Sequence, residues 1–307
     1  MPPTKRARIS HPAEPQEMVT GTSEHASQQG TDNEHLSETQ DDAESTDYSI
    51  SVPTQVAYWS TISPSVDGML GGYPQVSRID LQFSRNFLRK LERLDKASRG
   101  ETSADASSNQ HRYAFEYCLE PGAGIGRVTL NLLAPLCSRI DIIEPVKRFT
   151  DVLTADDSAI IRSGQLRRVY NMPLQEWTAE SMPSYSAPEE RAETGPATRA
   201  TPTDGYDLIY NQWCLNHLSM ADLVSYLTKL IPLLRPGGWI IVKENISTDA
   251  YSKDIFDEED SSVTRSDQNW RTGFEQAGLK LVKTELQTGF PKALGLFPVR
   301  MYALRPR

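Results

Sequence analysis

The sequence is poor in cysteine and has no long apolar run. Its 307 residues include three cysteines, Cys118, Cys137 and Cys214, which lie among apolar neighbours without CxxC spacing. This pattern argues against a disulfide-rich secreted domain and a zinc-binding cluster, and it predicts buried free thiols in a reducing compartment. No apolar stretch approaches membrane-spanning length, and the first residues do not resemble a secretory leader, so we expect no membrane partner.

Charges of the two signs are unevenly distributed. Residues 1–50 contain three basic and ten acidic residues, so most of the net charge of −9 lies there. Because residues 1–47 are also poor in aromatics, we predict a disordered acidic tail. The remainder is close to neutral, which argues against a nucleic-acid partner. The basic cluster Lys5–Arg8 is either solvated charge or a nuclear import signal, so we expect a cytoplasmic protein and leave a nuclear location open.

A glycine-rich segment connects a predicted strand to a predicted helix. The apolar run 113–119 is typical of a buried strand, Gly122, Gly124 and Gly126 follow it, and leucines recur at helical spacing in 128–136. Glycine permits a sharp turn and lets a ligand approach the backbone where a Cβ would collide. A strand, a glycine turn and a helix in this order predict a ligand-binding loop.

The glycine spacing and the next acidic residue narrow the choice of ligand. No lysine follows the glycines, which excludes a P-loop, and GxGxG is one residue tighter than the GxGxxG fingerprint of dinucleotide-binding domains. A second apolar run ends in Glu144, about twenty residues after the loop, where a carboxylate can bind ribose hydroxyls. These features favour S-adenosylmethionine, which has a ribose but no phosphates, over a nicotinamide cofactor.

Strand and helix patterns alternate along the rest of the chain. We predict further strands at 166–170, 206–211, 239–243, 281–285 and 299–304. The alternation indicates an α/β fold: a Rossmann-like, doubly wound, mostly parallel sheet of seven strands that ends in an antiparallel hairpin. The domain would span residues 48–307, with an N-terminal helical extension and flexible insertions near 95–111 and 178–205. We expect a monomer.

More specific strings accompany the glycine loop. In chain order they are YW at 58–59, VDGMLGGY at 66–73, GAGIGR at 122–127, QW at 212–213 followed by His217, KEN at 243–245 and DSSV at 260–263. In this combination the sequence resembles the protein α-N-terminal methyltransferases between Tyr58 and Leu304. Members of that family methylate the α-amine of proteins that begin X-Pro-Lys/Arg after removal of the initiator Met. The resemblance therefore implies S-adenosylmethionine as cofactor and such protein N termini as partners.

The resemblance also implies roles for individual residues. Those implied to contact the cofactor are Gly122, Gly124, Arg127, Glu144, Leu174, Gln175 and Gln212. Those implied to contact the substrate are Trp59, Trp213, His217, Asn245, Asp257, Asp260 and Ser262. No metal is expected.

The chemistry of methyl transfer to an amine requires alignment and only a modest base. An α-amine has a reference pKa of about 7.7–8.0, so part of it is neutral near pH 7. Asp260 and His217 are the candidate bases. The other four histidines lie in segments that we predict to be disordered, which leaves His217 alone in the predicted core. A purely structural role is its alternative.

Two other functions stay open at this point. One is a methyltransferase that acts on small molecules or side chains, and the other is a scaffold that binds the cofactor without catalysis. Trp59, Trp213 and the acidic segment 254–262, which suits a cationic substrate residue, favour a peptide substrate. The presence of Asp260 and His217 favours an active enzyme.

Overall fold

A computed structural model describes residues 49–100, 113–188 and 205–307, and the strands of this part lie between Phe115 and Pro306. The strands are β1 (Phe115–Pro121), β2 (Cys137–Ile143), β3 (Leu166–Tyr170), β4 (Tyr185–Ser186), β5 (Tyr206–Gln212), β6 (Leu234–Asn245), β7 (Ile255–Asp257), β8 (Ser262–Thr264), β9 (Leu279–Leu286) and β10 (Val299–Pro306). Eight of them form one sheet in the order β4-β3-β2-β1-β5-β6-β10-β9, and β7 pairs with β8 in a separate hairpin. Strands β3, β2, β1, β5 and β6 are parallel, whereas β4, β10 and β9 each pair antiparallel to a neighbour.

Helices cover both faces of the sheet. They are α1 (Val52–Thr61), α2 (Val66–Met69), α3 (Ser77–Ser98), α4 (Lys147–Thr154), α5 (Ala159–Arg162), α6 (Met220–Leu230) and α7 (Asp267–Gln276). Serine side chains cap several of them: Ser219 accepts a hydrogen bond from the Asp222 amide at 3.0 Å, and Ser266 caps α7 in the same way. Such caps satisfy amides that have no partner within the helix.

Successive residues of the central strands point to opposite faces, so each strand contributes to two apolar layers. In β5, Ile209 packs with α6 and α7, whereas Leu208 and Tyr210 pack with α3 and the segment after β1. Each layer removes a continuous apolar surface from water, which is the main favourable term in folding. The sheet is thus buried on both sides, and ligands can reach it only at the strand ends.

The predicted architecture is confirmed as a mostly parallel, doubly wound α/β sheet, with three local differences. The sheet has eight strands and not seven, because Tyr185–Ser186 forms a short edge strand where we expected only a flexible insertion. The leucine-rich segment after the glycine loop forms a single π-helical turn, Thr129–Leu133. The acidic segment 254–262, where we predicted no strand, is folded into the β7–β8 hairpin.

Several predictions fall outside the described residues. They are the acidic tail 1–47, the basic cluster at 5–8, the four histidines other than His217, and most of the insertions at 95–111 and 178–205. Within the described part, α3 extends to Ser98 and therefore includes the first residues of the loop predicted at 95–111. The same part contains no helix with the length and apolar character required to cross a bilayer.

The prediction of three free thiols is wrong for two of them. Cys118 on β1 and Cys137 on the neighbouring strand β2 form a disulfide, and only Cys214 is a buried free thiol among the described residues. The two bonded cysteines are 19 residues apart, with no motif linking them. Their proximity arises from parallel pairing of β1 with β2, which a spacing rule based on CxxC cannot detect.

A buried ion pair joins β2 to β3, and neither of its residues lines the cavity at the glycine loop. Arg167 donates from Nε to Asp141 Oδ1 at 2.8 Å and from a terminal nitrogen to Oδ2, and both side chains are almost fully buried. The Tyr206 hydroxyl donates to the same carboxylate at 2.5 Å. Because all three groups are desolvated, the loss of one partner leaves an uncompensated charge in the core.

We expect Asp141→Asn to lower the free energy of unfolding by about 3 kcal/mol, because it removes one partner of a buried pair. Urea denaturation followed by circular dichroism measures this change. The matched control is Asp151→Asn, which breaks the exposed pair with Lys147 on α4 and should cost less than about 1 kcal/mol. Equal costs for the two variants would contradict the importance of the buried pair.

Candidate active site

A cavity lies at the carboxyl ends of β1, β2 and β5, where the strand order reverses. Its empty volume is about 1000 Å³, including the space at its mouth. In doubly wound sheets this switch point is the usual ligand site. The lining residues come from α1, α2, α4, the glycine loop, the ends of β1 and β5, and the segments that follow β2, β3 and β5. They include Gln55, Trp59, Met69, Glu120, Gly122, Gly124, Arg127, Glu144, Phe149, Leu174, Gln175, Gln212, Trp213, Cys214 and His217.

The glycine loop has a backbone shape that other residues would strain. Gly122 and Gly124 have φ values of 67° and 56°, in the left-handed region. A Cβ on Gly122 would lie 2.4 Å from the Cβ of Cys214, so the loop and the segment after β5 are in direct contact. The Gly122 amide donates to the Ile143 carbonyl at 2.8 Å, which holds the loop against the end of β2.

Glu144 joins the glycine loop to the start of α4. Its two carboxylate oxygens accept hydrogen bonds of 2.9 Å, one from the Gly124 amide and the other from the Val146 amide. Burial raises the pKa of Glu144 to about 7 despite these two bonds. Since a carboxylate oxygen has two lone pairs, both oxygens can accept a further bond from a ligand in the cavity.

A buried charged cluster, formed by Asp80, Arg127, Gln212 and Lys243, lies beside the cavity. Arg127 donates to Asp80 Oδ2 at 2.8 Å, Gln212 donates to the same oxygen at 3.0 Å, and Lys243 donates to Oδ1. The sequence analysis gave no role to Asp80 or Lys243, although Lys243 belongs to the KEN string at 243–245. The helical spacing does indicate that Asp80 is buried, because it lies on the apolar stripe of α3, seven and eleven positions before the buried Phe87 and Leu91.

Trp213 follows β5 in a strained conformation. Its φ of 56° is unusual for a bulky residue. The Trp213 amide donates to the Lys243 carbonyl at 3.0 Å, and Glu244 accepts from the next two amides, those of Cys214 and Leu215, at 2.9 Å each. Burial raises the pKa of Glu244 to about 7. These bonds hold the turn, and strain of this kind is typical of functional sites.

Helix α1 covers the cavity and contacts His217. The Trp59 indole N–H donates to His217 Nε2 at 3.2 Å. The Gln55 amide donates to the His217 carbonyl at 2.8 Å and to the Ser261 carbonyl at 2.9 Å. At the other end of α1, Arg148 donates to the carbonyls of Ser60 and Ile62. Polar contacts therefore hold α1 in place at both ends.

The structure separates the predicted site residues into two groups. All seven predicted cofactor residues line the cavity together with Trp59, Trp213 and His217. Asn245, Asp257, Asp260 and Ser262 do not line it. Asp260 is fully buried and accepts from Ser262 Oγ at 2.7 Å, whereas Asp257 is partly exposed and accepts from the Glu259 amide at 3.0 Å. Their predicted roles remain predictions.

The second group nevertheless lies close to α1. Burial raises the pKa of Tyr58 to about 12, with smaller contributions from the negative charges of Glu259 and Asp260. The acidic hairpin therefore faces the helix that carries Trp59. Among the described residues no three acidic, histidine or cysteine side chains converge as a metal site would require.

The sheet order, the glycine loop and the acidic residue that ends β2 define a class I S-adenosylmethionine-dependent methyltransferase architecture. A solved structure of a Leishmania major SAM-dependent methyltransferase superposes with a TM-score of 0.61 at 29% identity and covers 82% of both chains. The sequence pattern described as AdoMet dependent proline di-methyltransferase matches residues 47–305.

Curated relatives agree with this assignment. Alpha N-terminal protein methyltransferase 1 of Schizosaccharomyces pombe is 36% identical over 253 residues, which cover 82% of this chain and 94% of the relative. The Arabidopsis thaliana protein of the same name is also 36% identical over 253 residues, with 81% and 77% covered. N-terminal Xaa-Pro-Lys N-methyltransferase 1 of Xenopus tropicalis is 31% identical over 249 residues, with 81% and 92% covered. The chain belongs to the AdoMet-dependent proline di-methyltransferase family.

The cavity fits the cofactor that this family uses. S-adenosylmethionine has a ribose diol, which suits the remaining lone pairs of Glu144, and an amino-acid carboxylate, which suits the guanidinium of Arg127. The Arg127 guanidinium lies 5.4 Å from the centre of the Trp213 ring, and the two side chains thereby restrict each other. Trp213 Nε1 is a buried donor that has no acceptor among the described residues, so it is available to a ligand.

We expect Gly124→Val to weaken S-adenosylmethionine binding by about tenfold or more in titration calorimetry. A Cβ there would lie 2.9 Å from Met69 Sδ, and a β-branched residue strains a loop with positive φ. Gly164→Val is the matched control, since Gly164 also has positive φ but has no atoms within 4 Å of the added Cβ. Wild-type affinity in Gly124→Val would show that the loop does not bind the cofactor.

Cofactor binding should release protons between about pH 6 and 7. Burial raises the pKa of Glu144 to about 7 in the protein without ligand. The ribose hydroxyls of the cofactor donate to the ionised carboxylate, so binding lowers this pKa. The affinity for the cofactor therefore falls as the pH decreases. Calorimetry in buffers of different ionisation enthalpy measures the release. Glu144→Gln should reduce it. Glu244→Gln should retain it, because Glu244 lies outside the cavity and accepts both of its amides at Oε1, which a glutamine oxygen can replace. Unchanged release in Glu144→Gln would refute the assignment.

Proposed function

We propose that this protein transfers methyl groups from S-adenosylmethionine to the α-amine of proteins that begin X-Pro-Lys/Arg. Family membership supports the reaction, and the name of the Xenopus tropicalis relative states an Xaa-Pro-Lys substrate for that protein. The cytoplasmic or nuclear location and the monomeric state stay predictions from the sequence.

One observation carries this proposal furthest. A single side chain, Gln55, contacts both the His217 carbonyl beside the cavity and the Ser261 carbonyl in the acidic hairpin. The candidate base and the candidate acidic subsite are therefore separated by one side chain. A short peptide that places its amine in the cavity can present its third residue to the hairpin.

The protein's main contribution is alignment. When bound, S-adenosylmethionine supplies an electrophilic methyl group on a sulfonium. The side chains of Trp59 and Trp213 line the cavity and exclude water from the approaching amine. A second-position proline suits such aromatic surfaces, and its fixed φ limits the entropy lost on binding. Trp213 Nε1 can donate to a backbone carbonyl of the peptide.

The proton of the amine must leave before or during methyl transfer. His217 Nε2 accepts from the Trp59 indole, so this nitrogen carries no proton and the ring is neutral with its proton on Nδ1. Protonation of Nε2 would break the bond to Trp59. His217 can therefore act as base only if Trp59 moves. Asp260 accepts from Ser262 and is fully buried outside the cavity, so it can act as base only if the hairpin moves. The peptide amine, with its reference pKa near about 8, can also bind already neutral.

The acidic hairpin favours a basic third residue over a neutral one. Asp257, Glu258 and Glu259 lie in or near the turn that precedes Ser262, and each is at least partly exposed. A Lys or Arg of the substrate would pair with these carboxylates, while a small-molecule substrate would leave the hairpin unused. The geometry thus supports a peptide over the small-molecule alternative.

We expect wild-type enzyme to prefer a Ser-Pro-Lys peptide to a Ser-Pro-Gln peptide by about tenfold or more in kcat/KM. Asp260→Asn should reduce this preference and lower kcat/KM for Ser-Pro-Lys, because it removes a negative charge from the hairpin whose carboxylates attract the substrate cation. Initial rates of methyl transfer from labelled S-adenosylmethionine provide the measurement.

The control is Asp254→Asn in the residue just before β7. Asp254 accepts from the Ser266 amide at 2.8 Å and from the Asn269 side chain at 2.9 Å, so its contacts secure the start of α7. This variant should keep the preference for lysine. If Asp260→Asn discriminates between the peptides as strongly as wild type, Asp260 does not recognise the third residue. An N-acetylated peptide should not react.

A further inference from the structure

We propose that Asp80, on helix α3, is a positioning residue that sets the orientation of Arg127 and Gln212 for cofactor binding. Asp80 does not line the cavity, but it contacts two residues that do. The proposal rests on the proposed function only in taking S-adenosylmethionine as the ligand of this cavity.

The geometry concentrates three donors on one carboxylate. Oδ2 of Asp80 accepts from Arg127 at 2.8 Å and from the Gln212 amide at 3.0 Å. Oδ1 accepts from Lys243, and it lies 3.2 Å from the same Gln212 nitrogen. Asp80 and Lys243 are fully buried, and Arg127 is nearly so. Hydrogen bonds to a desolvated, ionised acceptor are the strong kind, so they fix their donors closely.

The charges require that Asp80 stay ionised. Burial raises the pKa of Asp80, but Lys243 and then Arg127 more than offset this effect, and the net pKa is lowered. Without that negative charge two buried cations would face each other. Burial lowers the pKa of Lys243 to about 8, and the charge of Arg127 also lowers it, whereas Asp80 opposes both effects. Asp80 is therefore the group that keeps Arg127 beside Lys243.

Arg127 is held in a way that leaves donors for a ligand, and Gln212 is fixed at both ends of its amide. Arg127 uses one terminal nitrogen for Asp80, and its remaining donors form the planar fork that binds carboxylates bidentately. Gln212 has its amide nitrogen on Asp80, while its oxygen accepts from the Tyr210 hydroxyl at 3.0 Å, so the amide orientation is fixed. If the Arg127 guanidinium were displaced, the first interaction to be lost would be the one with the amino-acid carboxylate of the cofactor.

Titration calorimetry on the full-length chain tests this role with two ligands. S-adenosylhomocysteine contains the amino-acid carboxylate, and 5′-methylthioadenosine lacks it. We expect Asp80→Asn to raise the Kd of S-adenosylhomocysteine by about tenfold or more and the Kd of 5′-methylthioadenosine by less than about threefold. In kinetics, KM for S-adenosylmethionine should rise while kcat at saturation is largely retained.

Two control variants separate positioning from stability. Asp141→Asn also removes a buried, ion-paired carboxylate but lies outside the cavity, so it should lower stability and leave both Kd values unchanged. Lys243→Met leaves Asp80 paired with Arg127 and should keep the Kd of S-adenosylhomocysteine within about threefold of wild type. If Lys243→Met is as damaging as Asp80→Asn, Asp80 serves only as the counter-ion of Lys243 and the proposal is overturned.

A second variant covers the case in which Asp80→Asn does not fold. The double variant Asp80→Asn, Lys243→Met removes both charges of the fully buried pair, which relieves the uncompensated lysine. It should show the same selective loss of S-adenosylhomocysteine affinity. Equal losses for both ligands, or no loss, would overturn the proposal. A wild-type protein that binds S-adenosylhomocysteine but fails to methylate Ser-Pro-Lys would refute the proposed substrate and leave this test intact.

Discussion

Backbone amides at the carboxyl ends of the central strands have no partners in the sheet, and buried carboxylates accept their hydrogen bonds. Glu144 accepts from the Gly124 and Val146 amides, and Glu244 accepts from the Cys214 and Leu215 amides. A buried amide without a partner costs about as much as a lost hydrogen bond. The turns that form the cavity therefore depend on these acids. Removing either acid would release two amides and the shape they define.

The same burial gives the site its electrostatic character. Burial raises the pKa of Glu120 to about 8 and those of Glu144 and Glu244 to about 7. Of these acids, Glu120 and Glu144 line the cavity. A cationic ligand favours their ionised forms, since an opposite charge nearby lowers the pKa of a carboxyl group. The reactants proposed here, a sulfonium and an amine, are of that kind.

Local sequence patterns predicted the parts of the site that depend on backbone conformation. The spacing of the glycines is set by the tight turn of the loop. The acid after β2 follows about twenty residues later, because the crossover between two parallel strands has a nearly fixed length. The predicted strand Leu166–Tyr170 was bounded correctly, although it contains Arg167 and Arg168, which are both buried. The cofactor residues taken from the family resemblance also line one cavity.

Contacts between distant segments were not predictable in this way. Asp80 and Lys243 are 163 positions apart in the sequence. Asp80 lies on an amphipathic helix and Lys243 in an apolar strand, and the two side chains meet only when these elements pack together. The Cys118–Cys137 disulfide has the same origin in strand pairing. Edge strand β4 has two residues, too few for any period to be recognised. Each missed feature depends on tertiary packing.

Helix α1 connects the two halves of the site with little burial of its own. Gln55 is its one buried residue, and the helix is held by Arg148 on the cofactor side and by Gln55 contacts on the hairpin side. An element with few buried apolar contacts belongs to the least stable part of a fold, from which binding lids are generally drawn. Since Trp59 on this helix also holds His217, displacement of α1 would open the cavity and free the candidate base in one movement.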